Sequence, residues 1–431
     1  MAETIFALSS GPGPCGVAVF RASGPGVPQL VQTMTRGAVP PPRQAVLRSV
    51  FDPRSGELID RGLVLYFSAP HSFTGEHVAE FHLHGAVATI RGFTAALMAL
   101  EGTRLAEPGE FTQRAFRFGK MSLLEVEALG DLLRAETLEQ ARLAQRSHHL
   151  LARAAAQWRE EILTALALTE ASIDFSDEDD VAADIDSAAE QHIRKLISLL
   201  DQALAGFAHA ERIRRGFRVA LCGPPNAGKS SLLNALARRD VAIVSPVAGT
   251  TRDVIEVHLD LGGYPVVISD TAGIRDSSDM IEREGIERAR GAAGEADLVL
   301  WLSPADVPVP SPWPGAWTIA SKADLGMATK GDRFISVTKN LGIDALVNAI
   351  AERAASAVGC SDGLLVAHAR QVVELERSIM ALRSALERPA ELPELRAEDI
   401  RSSLRYLDRL VGHIDPDEVL GAIFSRFCIG K

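Results

Sequence analysis

The chain is predicted to be α/β plus α-helical: an α/β unit at the N-terminus, a discontinuous helical domain, and a nucleotide-binding α/β unit inserted into it. Three observations carry this. Residues 1–118 set short β-rich runs among Gly/Pro turns. From about Ser122 to Ala171 the chain holds no proline and one glycine, with Leu and Ala at helical spacing. At Phe217 short apolar β runs begin, and the first leads into a glycine-rich loop and a helix. After about Cys360 helical patterning returns, so the boundaries read 1–118, 119–212, 213–357 and 358–431.

The N-terminal runs are GVAVFRAS, RGLVLYFS and HVAEFHLH, followed by the helix-like TIRGFTAALMAL. The helical stretch is interrupted by the acidic DFSDEDD and resumes to about Arg212. In the inserted unit the β runs are FRVALCG, VVISD, LVLWLS, WTIAS and FISV. The last helical part is broken by RPAELPEL.

Bulk properties narrow the class. A chain of 431 residues, 47% hydrophobic and 23% charged, suits roughly two to four globular domains. The net charge of −11 excludes a molecule that is basic throughout, so any nucleic-acid contact needs a local patch. ERIRRGFR, Arg212 to Arg218, is one such stretch, although a run of this kind is more often a solvated face or linker. Cys15, Cys222, Cys360 and Cys428 lie far apart, which argues against a zinc site or disulfide framework and for reduced thiols in a cytoplasmic protein. No leader pattern and no apolar stretch of about 18 residues is present, so no membrane span is expected.

The chemistry-bearing signal is GPPNAGKS, Gly223 to Ser230. It matches G-x-x-x-x-G-K-[ST] between a strand and a helix, the context the motif requires. Its glycines let backbone N–H groups curl around phosphate oxygens, Lys229 supplies a cation, and the Ser230 hydroxyl can bind magnesium. Downstream, DTAG places Asp270 at a strand end and Gly273 where a backbone N–H can approach a γ-phosphate. GTTRD, with Thr250 and Thr251, reads as a switch loop between them. SKAD offers Asp324, whose carboxylate suits the ring N–H and exocyclic amine of guanine, with Lys322 packing over the base. Adenine offers no such pair, so GTP is favoured over ATP. Ser321 stands where this pattern has asparagine, and Ser336, Val337 and Thr338 fit a following base-binding loop.

Ile274 follows DTAG, where Ras-type GTPases carry a water-orienting glutamine. Some other group must orient water; Glu282 and Glu284 are near, although as isolated sequence features such residues are more often solvated helix charges. Asn226 can offer its amide oxygen to a monovalent cation. His82 and His84 share one face of a strand without a third ligand and read as structural.

The sequence resembles the MnmE (TrmE) family of tRNA-modification GTPases. The resemblance spans nearly the whole chain and is carried by ETIFALSSGPGPCGVAVFRASGP, SFTGEHVAEFHLHG, PGEFTQRAFRFGKMSL, GPPNAGKSSLLNAL, GTTRD, DTAG and FCIGK. It implies a folate-binding α/β N-terminal domain that dimerises, a discontinuous helical domain, and an inserted Ras-like P-loop GTPase domain. It implies nucleotide contacts from Asn226, Ala227, Gly228, Lys229, Ser230 and Ser231, and from Ser245, Pro246, Val247, Ala248, Gly249, Thr250 and Thr251. Asp270, Thr271, Ala272 and Gly273 continue that set, and Ser321, Lys322, Asp324, Ser336, Val337 and Thr338 complete it.

Magnesium falls on Ser230 and Thr251, and potassium on Asn226, Ser245, Val247 and Thr250. Glu282 becomes the water-orienting glutamate, beside Lys229 in the hydrolytic set. Formyl-tetrahydrofolate falls on Arg21, Glu80, Lys120 and Lys431. Cys428 becomes a candidate for thiol chemistry on a one-carbon unit, or else a packing residue after Phe427. The implied activity is potassium-activated GTP hydrolysis. With the flavoprotein MnmG (GidA) in a heterotetramer, it serves addition of a carboxymethylaminomethyl-type group at C5 of the tRNA wobble uridine. A regulatory GTPase of ribosome assembly shares the same loops, but would carry an added RNA-binding module. Gly13 to Gly16 spells GxxG in a turn before a β run, not between helices, and so does not supply one.

Overall fold

The computed structural model describes residues 3–174, 179–239, 241–243, 255–270, 291, 293–325, 333–358, 363–389 and 392–412, together with Phe424, Phe427 and Gly430. It divides into two compact units, residues 1–130 with 408–431, and residues 131–407.

The first unit is built on a six-stranded sheet of order β3-β4-β5-β2-β1-β6. Its strands are β1 Thr4–Leu8, β2 Cys15–Ser23, β3 Val46–Phe51, β4 Leu58–Phe67, β5 Val78–Gly85 and β6 Thr103–Leu105. All neighbours are antiparallel except β1 and β6. Side chains alternate across β1. Phe6 faces the main core with Phe20, Phe81 and Phe93, while Ile5 and Ala7 pack with Phe111 on the other side. Helices α1 (Val27–Thr35) and α2 (Val87–Met98) cover the main core through Val31, Met34, Phe93 and Leu97. Each such buried side chain contributes about 1.5–3 kcal/mol. Helices α3 (Glu110–Arg117) and α4 (Leu123–Arg134) follow. Leu123 and Val126 of α4 pack with Phe424 and Phe427 in a smaller cluster apart from the main core.

In the second unit, α5 (Leu138–Asp174) is 37 residues long and lies against α6 (Asp179–Ala205). Leu143, Ser147, Leu151, Ala155, Trp158 and Ile162 recur three or four places apart and are buried, the stripe a two-helix contact needs. Helix α7 (Phe207–Arg215) leads into the second sheet. That sheet runs β12-β11-β10-β7-β9-β8. Its members are β7 Phe217–Cys222, β8 Ile255–Leu261, β9 Tyr264–Asp270, β10 Leu298–Pro304, β11 Trp317–Ser321 and β12 Arg333–Phe334. Only β8 is antiparallel to its neighbour.

One face of this sheet is covered by α8 (Lys229–Ala237) and α9 (Ile343–Val358), through Leu232, Leu236, Leu346 and Ile350. On the other, Trp301 and Cys222 pack with Val309 and Trp313 of the connection between β10 and β11. Helices α10 (Ala369–Glu387) and α11 (Pro393–Val411) close the helical part. Among the described residues no helix is long and apolar enough to cross a membrane.

The predicted β runs are present as strands except FISV, of which only Phe334 lies in a strand while Ser336 makes an isolated bridge to Leu341, and the predicted long helices are α5 and α6. The predicted runs leave out β1, β3, β6 and β8, although in β8 Ile255, Val257, Leu259 and Leu261 alternate with polar residues. The basic run does not lie open to solvent as a unit. Arg212 donates to Asp297 at 2.9 Å, Arg214 to the Ala367 carbonyl at 3.1 Å, and Arg218 sits 3.3 Å from Glu295. These arginines fasten α7 and β7 to their neighbours.

Candidate functional site

The phosphate loop is shaped by backbone that few residues tolerate. Gly223 has φ 153°, and a Cβ there would sit 2.5 Å from the Leu302 carbonyl oxygen, so glycine is required twice over. Asn226 also takes positive φ, at 61°, and is exposed on the loop. Gly228 caps the start of α8, aiming the helix N-terminus at the loop. Ala227 beside it is buried, and Ser231 follows on the exposed side.

Lys229 is 8% exposed and its Nζ donates to the carbonyls of Gly223 at 2.9 Å and Pro224 at 3.0 Å. Burial pulls its pKa down, opposed by the charge of Asp270. The ammonium is thus held, largely desolvated, inside the loop that would wrap a phosphate. The Ser230 hydroxyl donates to Asp270 Oδ2 at 2.9 Å, and Asp270 is 1% exposed at the end of β9. A hydroxyl and a carboxylate brought together beside a lysine form the oxygen donor set that magnesium takes with phosphates.

The base site is assembled from two loops. Ser336 donates to Asp324 Oδ1 at 2.6 Å, Thr338 donates to Oδ2 at 3.2 Å, and the Lys339 N–H donates to Ser336 Oγ at 3.2 Å. The Ser336 hydroxyl first, then backbone and Thr338, hold the Asp324 carboxyl below its ordinary range, fixing it as a charged acceptor. Ala323 N–H donates to the Ile335 carbonyl at 3.0 Å, tying the two loops, while Lys322 takes φ 53° at the turn. Val337 packs against the sheet core. Ser321 is 3% exposed, and its Oγ has no hydrogen-bond partner among the described residues. A buried hydroxyl with no partner is uncommon, and this one lies three residues from Asp324 in the chain.

The first unit holds a second cluster. Arg21 and Glu80 are cross-strand partners on β2 and β5, with two guanidinium nitrogens 3.1 and 2.9 Å from Glu80 Oε1. The Arg21 guanidinium lies 5.5 Å from the Phe73 ring centroid and 5.9 Å from that of Phe111. Lys120 Cε comes within 3.3 Å of where a Cβ on Gly75 would be, two residues from Phe73. A cation, a carboxylate and aromatic faces fit a folate, which has a carboxylate tail and a flat donor-bearing ring. The Gly430 carbonyl accepts from Ser9 Oγ at 3.0 Å, at the end of β1. His82 pairs with Glu80 and His84 with Asp60, and no cluster of three or more His, Cys, Asp or Glu side chains able to hold a metal ion occurs among the described residues.

Several predicted residues lie outside the described residues: Ser245, Pro246, Val247, Ala248, Gly249, Thr250, Thr251, Thr271, Ala272, Gly273, Glu282, Cys428 and Lys431. The residues brought together are Lys229, Ser230 and Asp270 at the phosphate end, Asp324, Ser336 and Thr338 at the base end, and Arg21 with Glu80 in the first unit.

The sheet order, the phosphate loop and the carboxylate base site define a P-loop GTPase. Family models agree in detail: the MnmE helical domain matches residues 123–428, and the GTP-binding protein TrmE N-terminus matches residues 4–120. The chain belongs to the MnmE (TrmE) family. It is 48% identical to the tRNA modification GTPase MnmE of Beijerinckia indica, over 100% of this chain and 96% of the relative. It is 46% identical to that of Azorhizobium caulinodans, over 100% and 99%. Among solved structures, the G domain of the T. maritima FeoB iron transporter covers 32% of this chain and 98% of its own at 24% identity and a TM-score of 0.25, a likeness on which nothing further rests.

Proposed function

We propose that this protein is a potassium-activated GTPase. With a flavoprotein partner of the MnmG (GidA) type it adds a carboxymethylaminomethyl-type group at C5 of the wobble uridine of certain tRNAs. It takes a one-carbon unit from formyl- or methylene-tetrahydrofolate and works as a homodimer in the cytoplasm. The observation that carries the hydrolytic part is the Ser230–Asp270 contact beside the buried Lys229. Lys229 exchanges its two loop carbonyls for β/γ-phosphate oxygens, Asp324 accepts from the guanine ring N–H and amine, and Ser336 and Thr338 keep that carboxylate oriented. Magnesium on Ser230 and Thr251 would neutralise phosphate charge. For potassium, Asn226 is the described member of the expected cage. Glu282 orients the attacking water.

In the first unit Arg21, Glu80, Lys120 and Lys431 bind the folate, and Cys428 acts on its one-carbon unit. The expected domains are 1–118 for folate, 213–357 for GTP, and 119–212 with 358–431 for the helical frame. Nucleoside analysis of tRNA from a strain lacking the gene tests this directly. The C5-modified wobble uridine should vanish and return with the wild-type gene. Cys428→Ser should restore GTP hydrolysis but not the modification, since serine is a far poorer nucleophile near neutral pH. Normal modification in the deletion strain refutes the reading.

A further inference from the structure

The β8–β9 hairpin is rooted in the nucleotide site and gripped along its length by the helical part of the same unit. At its root, β8 emerges from residues 244–254, which include Thr250 and Thr251, and β9 ends on Asp270, the acceptor from Ser230. Ile255 and Asp270 are cross-strand partners. At its tip, Gly262 and Gly263 turn with φ 68° and 92°, and Tyr264 packs against Leu143 of α5, Ala210 and Ile213 of α7, and Ala367.

Between root and tip is His258, three residues and about 10 Å from Ile255. Its Nδ1 lies 2.6 Å from Glu136 Oε2, on the corner before α5, and its Nε2 3.7 Å from Glu256 Oε2 on its own strand. Its carbonyl accepts from the Ile243 N–H at 2.8 Å, beside the isolated bridge between Ala242 and Leu259, so β8 is also tied to residues 242 and 243. The Glu136 side is rigid. Gln140 Oε1 accepts from the N–H groups of Glu136 and Thr137 at 2.8 and 3.0 Å, and Gln140 Nε2 donates to the Arg214 carbonyl at 3.2 Å.

We propose that His258 is a positioning residue for GTP hydrolysis: clasped by Glu136, it fixes the β8–β9 hairpin to the helical bundle and makes the nucleotide site and the bundle answer to one another. The proposal rests on the GTPase reading. The two grips differ in kind. Tyr264 is seated in an apolar cluster and acts as the pivot, whereas the His258–Glu136 pair is about one-third exposed and can open. Whatever factor the bound nucleotide applies to the clasp, a change in the bundle applies in return to nucleotide affinity.

The clasp is strongest with the imidazolium, because a neutral ring protonated on Nδ1 still donates to Glu136 but gives up the ion pair. Glu256 and Glu136 raise the His258 pKa to about 9 against the effect of burial, so the ion pair persists at neutral pH and is lost as pH rises through that value, leaving only a weaker neutral hydrogen bond. The charged groups in its surroundings are Glu136 and Glu139 of the helical corner, Glu256 and Asp260 on its own face of β8, and Arg218 beyond Glu256.

The test uses the full chain, with GTP turnover in potassium from pH 7 to 10 and hydrogen exchange of residues 135–143 with and without a non-hydrolysable GTP analogue. Wild-type turnover should fall with a midpoint near 9. His258→Gln should be slower by about fivefold or more at pH 7 and should lack the inflection that His258 contributes. His258→Lys keeps the cation and should hold the wild-type rate past pH 9. The analogue should slow exchange at 135–143 in wild type and His258→Lys but not in His258→Gln. Equal turnover of His258→Gln and wild type at pH 7, or equal protection in both, overturns the proposal. If His258→Gln fails to fold, Glu136→Gln is read by the same two measurements. A wild-type protein that does not hydrolyse GTP at pH 7 refutes the GTPase reading instead.

Discussion

Replacing Ser321 with alanine should strengthen the protein and weaken its hold on guanine nucleotide at once. The Ser321 side chain is 3% exposed, and its hydroxyl makes no hydrogen bond among the described residues. A buried, unsatisfied hydroxyl costs about 1–3 kcal/mol. Ser321→Ala removes that cost without opening a cavity of consequence, so the nucleotide-free protein should gain about 1 kcal/mol, or about 2–4 °C in Tm for a unit of this size. If guanine supplies the missing partner, the variant forfeits one hydrogen bond of about 0.5–1.5 kcal/mol, or about two- to twelvefold in affinity.

The assay is paired: thermal unfolding with and without GDP, and nucleotide titration with GDP and ATP. Ser321→Asn runs the other way. Its amide should tighten GDP binding several-fold while Tm drops, because a larger side chain must enter a closed space. Asp324 should exclude ATP in every variant. A Ser321→Ala protein with unchanged GDP affinity refutes the assignment of this hydroxyl to the base site. One with a lower nucleotide-free Tm shows that the hydroxyl already has a partner.

Two further outcomes follow from the phosphate end. GTP turnover should rise strongly in potassium over sodium, and Glu282→Ala should cut turnover while leaving nucleotide affinity near wild type; equal rates in the two salts remove the potassium cage. Gly223→Ala should abolish nucleotide binding, because its Cβ would lie 2.5 Å from the Leu302 carbonyl at a φ of 153°, adding about 1–3 kcal/mol of backbone strain to the clash; titration showing wild-type GDP affinity would mean that the loop and β10 can separate.

What could be read from sequence were features whose cause is local. The phosphate loop is legible because positive φ and close backbone approach restrict Gly223 and Gly228 to glycine. The long α5 is legible because burying one stripe of a helix imposes a spacing on Leu143, Leu151 and Trp158. Asp324 and Ser336 are legible as parts of one site because each sits at the end of a recognisable β run. The rest depends on partners far along the chain. Arg212 meets Asp297 across 85 positions and His258 meets Glu136 across 122, and neither periodicity nor spacing encodes such a meeting. The orphaned Ser321 hydroxyl is invisible for the same reason, since a departure from a motif says what is missing but not what surrounds the gap.

The packing of Phe424 and Phe427 onto α4, and of Gly430 against Ser9, has a temporal consequence. The strands and helices of residues 3–130 emerge from the ribosome early, yet the apolar partners of Leu123 and Val126 are Phe424 and Phe427, near the far end of the chain. At about 5–20 residues per second, the intervening stretch takes about 15–60 s to synthesise. During that interval Leu123 and Val126 have no apolar cover from this segment, and Gly109, whose backbone abuts the Phe424 carbonyl, faces an empty seat. The first part of the protein to be made is therefore among the last to be finished. A nascent chain stalled before residue 424 would present an unfinished apolar face to chaperones and to other nascent chains.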